Sequence, residues 1–446
     1  MTTSLIRARV NRLGRVCTLL AVLTGTGFLS ACKDFLRADN PSAIELPQLD
    51  DSTQIGLLVN GVIGEFQPQF SEGAFWHAMF TDETRNHHSF FENPQLDRRD
   101  ISPDNGTYAV FFYNPLHRAR FMADTVAGRI RVLKGDAAAS DARLARVLTY
   151  GGYTYVLLAE TQCEIPINGS LPFTPEEIFE RALQKFDSAL AIAAAARAAA
   201  APNSAAQRSA DSLLNFARVG AARAALNLND GPRALGYANA VLASDTNFRF
   251  LSYHSINSPR ETNRMWNFLT AEVWVSLDGT PFLAMAGDPR IPRPDTTQGV
   301  VDGTRRFVPN APLALSTYTG TRQGGEFDRA AHTRIASALE ARYIWAEVTG
   351  PTAETIAWLE TRRLIAPTGT VVTDATNFFD NLRDQRARDL YLDFHRLGDL
   401  RRYKEFYGVD LFQHGPYPGS TTGEQYGTQE CMPLTRGELN AQPPRP

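Results

Sequence analysis

The sequence predicts a mainly α fold: stacked helical pairs form a scaffold that carries an irregular, loop-rich ligand-binding insertion and tail. Three observations predict it. Apolar residues recur every three or four positions through much of the first half of the chain and again near its end. Two helix–turn–helix units of similar texture echo each other on either side of an aromatic-rich stretch. That stretch and the end of the chain are built from Gly, Pro, Asn and Ser without a sustained helical period. With 446 residues the chain exceeds one compact core. Its 45 basic and 48 acidic residues nearly balance, and no Lys/Arg block lies beyond the extreme N-terminus, so no nucleic-acid partner is expected. Beyond that N-terminus no run of about 20 apolar residues is available to span a bilayer.

Residues 1–31 read as a leader: Arg7, Arg9, Arg12 and Arg15, an apolar run from Val16 to Leu23, then small residues up to Leu29-Ser30-Ala31-Cys32. The last string is similar to a bacterial lipobox. Cys32 is therefore expected to carry acyl chains such as palmitate and to anchor an exported protein in a membrane; a plain secretory signal is the alternative. Each buried methylene adds about 0.8 kcal/mol, so several chains on one cysteine hold far more firmly than one. Residues 32–51 form the lipid-anchored tether. Cys17 departs with the leader and Cys32 is modified, which leaves Cys163 and Cys431 in an oxidising compartment. They are expected to pair, with two buried free thiols as the alternative.

Residues 52–244 are the N-terminal helical region. Ile55 to Phe66 and Gly73 to Phe80 are expected helices, and residues 81–105, without a period, a long surface loop of the kind that carries function. Tyr108 to Leu133 and Leu144 to Glu160 form an antiparallel pair, with Ala119, Ala123, Gly151 and Gly152 allowing close approach. Thr174-Pro175-Glu176-Glu177 opens the next helix with a cap, Pro and acids in the first turn, and leads into an alanine tract.

The echo follows. Leu213 to Leu228 and Arg233 to Ala243 flank the Asn229-Asp230-Gly231-Pro232 turn; Arg334 to Val348 and Ala353 to Ile365 repeat the arrangement. Their size and small residues are tetratricopeptide-like, and such units must stack on neighbours to bury their apolar faces. Residues 245–446 are the C-terminal region. Within it, residues 245–329 form the insertion, dense in aromatic and polar side chains, with strand-like runs such as Val273 to Leu277. Ligand contacts are expected from this insertion and from the loop at 81–105.

Leu382, Arg386, Leu390, Phe394 and Leu397 share a helical face, with Gly398 expected to stop the helix and Asp399 to cap the next. Arg386, Asp389, Asp393, Arg396 and Asp399 are read as a structural clamp, pairing with one another and with helix ends.

These residues carry a resemblance to the SusD/RagB family of bacterial outer-membrane lipoproteins. Cys32-Lys33-Asp34-Phe35-Leu36 resembles its mature start. Gln385-Arg386, Asp389-Leu390, Asp393-Phe394, His395-Arg396 and Asp399-Leu400-Arg401-Arg402-Tyr403 resemble its late helix, with Gln for Glu, Phe for Gly and Tyr for Trp as departures. Met432-Pro433-Leu434, with Glu438 and Asn440, resembles its closing motif. The resemblance implies four tetratricopeptide-like units and a looped ligand-binding part. It also implies a lipoprotein of the outer membrane, facing the cell surface, that captures a nutrient such as an oligosaccharide. The implied partner is a SusC-like, TonB-dependent barrel that the lipoprotein covers as a lid. No catalysis and no cofactor are implied.

For the ligand, Trp76, Asn86, His87, Trp266, Tyr318 and Arg322 are the expected contacts, because a sugar needs a flat apolar face and a few fixed polar groups. Trp76 reads equally as core, and Arg322 as a solvated loop charge. Trp345 and Trp358 read as core. A glycoside hydrolase would need paired carboxylates, for which Asp82-Glu83 and Asp389/Asp393 are the candidates. The first pair reads as solvated and the second lies among arginines, so neither is expected to act. His87-His88 lacks the spaced ligands of a metal site. A peptide-binding repeat scaffold is the remaining alternative, and it has no need of the aromatic insertion.

Overall fold

The computed structural model describes residues 51–442 apart from 87, 89, 267, 269–273, 278, 286–287, 292–329, 367–372, 419 and 421. Cys32, the leader, His87, Tyr318 and Arg322 lie outside the described residues, as does the side chain of Trp266. Among the described residues no helix is long and apolar enough to cross a membrane.

The chain begins with α1 (Ile55–Phe80), which runs through both expected helical segments without a break at Pro68. Its buried face starts with Ile55, Val59, Val62, Phe66 and Phe70, spaced three or four residues apart, with Leu58 beside them. After α2 (Asn93–Asp97) the array proper starts with α3 (Asn114–Lys134) and α4 (Ala142–Thr161). It continues with α5 (Pro175–Ala199), α6 (Ala205–Asn227) and α7 (Gly231–Ser244). Each helix packs on the next, as short connections favour. Local chemistry sets the starts. Thr174 and Glu177 form the expected capping box on α5, and Ser204 and Asp230 cap α6 and α7. Small residues set the spacing: a Cβ on Gly152 would lie 2.6 Å from the Phe186 ring. Phe216 stacks on Tyr153 at 4.6 Å on one side and on Phe250 at 3.8 Å on the other.

The second echo departs from expectation at its start. Thr333–Ser337 is a strand, β4, and only Ala338–Thr349 is helical, as α8. β4 pairs antiparallel with β2 (Arg249–Ser252), and all five of its residues are buried. Pairing with β2 draws residues 333–337 out of a helix, and Ser337 then caps α8 through the Glu340 N–H. α8 packs against α7, so the insertion leaves the array and returns to it between two helices that are neighbours in space. α9 (Ala353–Arg363) meets α10 (Phe378–Asp389), while Trp358, half-buried rather than core, contacts Tyr343.

Gly398 does not end a helix. α10 stops at Asp389, residues 390–395 turn with Leu392 and Phe394 at φ 59° and 65°, and α11 spans Arg396–Tyr407. Gly398 lies inside α11 because a Cβ there would sit 2.8 Å from the Glu160 side chain. Asp399 does not cap; it is in the first turn and pairs with Arg386 at 2.7 Å and Arg402 at 2.8 Å. The other clamp residues reach farther than expected. Asp389 is held by Arg362 (2.6 Å), Arg290 (3.2 Å) and the Tyr343 hydroxyl, Asp393 by Arg334, and Arg396 by Asp82. The stretch is therefore a hub joining α1, β4, α9 and the insertion to α10 and α11.

Residues 81–85 are correspondingly not a surface loop. They are buried, because Asp82 binds Arg396 while Glu83 accepts from the Leu392 N–H at 2.8 Å and, through its carbonyl, from the Tyr391 hydroxyl. Cys163 and Cys431 are joined by a disulfide that spans 268 residues and fastens the tail beside the end of α4.

Candidate aromatic ligand site

The two segments expected to carry ligand contacts meet. β1 (Arg85–Asn86) follows the buried turn after α1 and pairs antiparallel with β3 (Val275–Ser276) of the insertion, Asn86 opposite Val275. Alternation along a strand sends neighbouring side chains to opposite faces. Val275 is fully buried, and Trp274 before it is half-buried.

Asn86 fixes the chain that follows. Its Nδ2 donates to the His88 carbonyl at 3.0 Å and its Oδ1 accepts from the His88 N–H at 3.2 Å. His88 Nδ1 in turn accepts from the Phe90 N–H at 3.2 Å, which leaves the proton of the neutral ring on Nε2. The imidazole lies over the Trp274 indole, 4.3 Å between centroids and 28° from parallel. Phe90 and Phe91 extend beyond it, 46% and 75% exposed.

Beneath Trp274 the aromatic packing is continuous. Phe268 lies 4.9 Å from it, Phe75 stacks on Phe268 at 4.4 Å, and Trp76 lies 6.0 Å from Trp274. Phe111, 40% exposed, covers Trp76 at 5.8 Å. It projects from a π turn (Ala109–Tyr113) that precedes α3, and such a turn shifts the facing of the side chains it carries. The result is a ledge with Phe90, Phe91 and Phe111 exposed, His88 and Trp274 half-buried and Trp76 inside.

This placement corrects the reading of Trp76. It is 1% exposed and offers no open face to a ligand; its ring is wedged among Phe75, Phe111, Phe268 and Trp274. Asn86 is at the ledge, where its amide makes one donor and one acceptor bond to the His88 backbone. Trp266 ends a single helical turn (Arg264–Trp266) that packs against α1. The residues that sequence reasoning missed are Trp274, His88, Phe90, Phe91 and Phe111. A signal existed for Trp274: strand alternation places it on the face opposite to the buried Val275.

The carboxylate pairs are committed elsewhere. Asp82 and Asp393 each have an arginine against them. Burial alone raises the Asp389 carboxyl, but hydrogen bonds and charge from Arg362 and Arg290 hold it below its ordinary range. A general acid needs the opposite shift. Among the described residues no group of His, Cys, Asp and Glu is placed to hold a metal ion.

No protein-family profile matches the sequence, and no curated protein matches it either. Solved structures do resemble it. A SusD/RagB family protein from Bacteroides thetaiotaomicron superposes with a TM-score of 0.52 at 15% identity, over 78% of this chain and 87% of that one. A laminarin-binding SusD-like protein gives 0.58 at 13%, over 88% and 98%. A third structure, solved with a xylogluco-oligosaccharide, gives 0.54 at 11%, over 86% and 97%.

Proposed function

The chain has the SusD/RagB fold, tetratricopeptide-like helical repeats included, and on that basis we propose that it binds a glycan without transforming it. The observation that carries this reading is the aromatic ledge on that fold. His88 over Trp274, with Phe90, Phe91 and Phe111 beside them, gives the flat apolar faces on which sugar rings stack. Two structural neighbours of the same fold, one named as laminarin-binding and one solved with a xylogluco-oligosaccharide, favour an oligosaccharide. The absence of catalysis is part of the proposal, and the ion-paired state of Asp82, Asp389 and Asp393 supports it.

We further propose that Cys32 anchors the protein on the outer membrane, facing outward, and that a SusC-like, TonB-dependent barrel receives the ligand from it. The lipobox-like string and the resemblance of the late helix support this. Two experiments test the proposals. In the first, the soluble domain lacking Cys32 is titrated by calorimetry with laminari- and xylogluco-oligosaccharides and with peptides. Binding of a glycan with no product released supports the reading; heat with peptides alone, or hydrolysis, refutes it. In the second, the lipidated protein is purified from outer membranes. Recovery with a large barrel supports the partner, and recovery from the soluble fraction refutes the anchor.

A further inference from the structure

The tail residues 415–418 lie antiparallel to residues 422–426, with the Tyr417 N–H donating to the Glu424 carbonyl at 2.9 Å and the Tyr426 N–H to that of Gly415 at 2.9 Å. This tail turn touches β1 and the segment that follows β3. On the β1 side, Asp97 Oδ2 accepts from the Asn86 N–H at 2.8 Å and from the Tyr417 hydroxyl at 2.5 Å. The Arg85 guanidinium lies over the Tyr417 ring, 4.1 Å from its centroid. On the β3 side, Gly279 is pressed between the two: a Cβ there would lie 3.2 Å from Pro418 and 2.9 Å from Arg85 Nη1. Behind the turn, Arg98 takes the Gly427 N–H on its carbonyl at 2.6 Å and meets Glu424 at 2.5 Å. Asp97 and Tyr417 are both buried.

One carboxylate oxygen thus serves a strand of the ledge and a side chain of the tail at once. We propose that Asp97 and Tyr417 are positioning residues, tying residues 415–426 to β1 and thereby setting where His88 and Trp274 stand. A two-stranded sheet with two residues on each strand has few bonds of its own, so its place depends on what holds it from outside. The consequence for affinity rests on the glycan-binding reading above; the mechanical claim does not.

Hydrogen–deuterium exchange on the full exported chain tests it. Tyr417→Phe removes only the hydroxyl and is expected to speed exchange in residues 84–86 and 274–277 by about tenfold, the worth of one hydrogen bond to a charged acceptor. Exchange in α5 and α6 through their own local openings should stay unchanged, and the melting temperature should fall by only about 1–4 °C. Asp97→Ala should speed the same exchange but also lower the melting temperature, because it strands the buried Arg85 charge, and Asp97→Asn, whose amide oxygen still accepts, should restore slow exchange. Unchanged exchange in 84–86 and 274–277 of folded Tyr417→Phe overturns the proposal, as does acceleration spread evenly over the helices. Should Asp97→Ala fail to fold, Tyr417→Phe decides alone. Laminari- and xylogluco-oligosaccharides separate the two readings. Weaker affinity beside faster local exchange supports both. Faster local exchange in a protein that binds neither sugar supports the positioning role and counts against glycan binding.

Discussion

Arg396, at the start of α11, donates two hydrogen bonds to Asp82 at 2.7 and 2.6 Å across 314 residues of sequence. Both side chains are buried, so removing one partner strands the other's charge, at a cost of about 3–5 kcal/mol. Arg396→Ala should therefore lower the melting temperature clearly while the folded fraction keeps its ligand affinity. Differential scanning calorimetry with titration of the surviving protein checks both halves; lost affinity at an unchanged melting temperature would return this stretch to the binding site.

Gly398 faces the carboxylate that Arg223 holds at 2.6 Å. A methyl group there must displace Glu160, so Gly398→Ala should destabilise by about 1–3 kcal/mol despite the better helix propensity of alanine. Urea unfolding of the variant measures it, and a gain in stability would show that Glu160 moves freely.

The disulfide between Cys163 and Cys431 closes a long loop. Removing it with Cys431→Ser should lower stability by about 2–4 kcal/mol. Intact-mass measurement after alkylation, with and without reductant, checks the bond itself: two thiols alkylated without reductant contradict it.

Asp97 gives a signed pH dependence. Burial pushes its carboxyl up to about 6, against the charge of Arg85, the Tyr417 and Asn86 hydrogen bonds and the charge of Arg98. Tyr426 is the other titratable group beside it. The folded value lies above the unfolded one, so the native state holds the extra proton between them. This stability is full below the unfolded value and is lost as pH rises through about 6. Asp97→Asn mimics the protonated group, so its stability relative to the parent should rise by about 1 kcal/mol between pH 5 and pH 7.5. Paired denaturation curves at the two pH values test it; a constant difference would contradict the assignment.

Much of the helical array was legible because local signals agree with global packing. The Thr174 capping box, the Asn229-Asp230-Gly231-Pro232 turn and the close approach of Gly151 to Ala123 each hold, whereas Gly152 makes its room for Phe186 of α5 instead of for α3. The errors lie where distant segments decide. Gly398 looked like a helix stop because nothing in the sequence tells that Glu160, far away, needs its space. Arg334 read as helical until β2, on the other side of the insertion, offered it a ladder. Asp82 and Glu83 read as solvated because their partners, Arg396 and Leu392, lie over 300 residues downstream. The ledge shared that difficulty: Trp76 and Trp274 differ little in composition of their surroundings, and only the β1–β3 pairing separates the inner ring from the outer one.

That separation supplies the most direct test. Trp274→Ala and Trp76→Ala are compared by calorimetric titration with the oligosaccharide that binds the parent, alongside melting temperature. The ledge predicts that Trp274→Ala weakens binding by about tenfold and, because the ring also packs on Phe75, Trp76 and Phe268, lowers the melting temperature, though less than Trp76→Ala does. Trp76→Ala should chiefly destabilise the fold, by about 3–5 kcal/mol. Unchanged affinity in a folded Trp274→Ala protein would contradict the account.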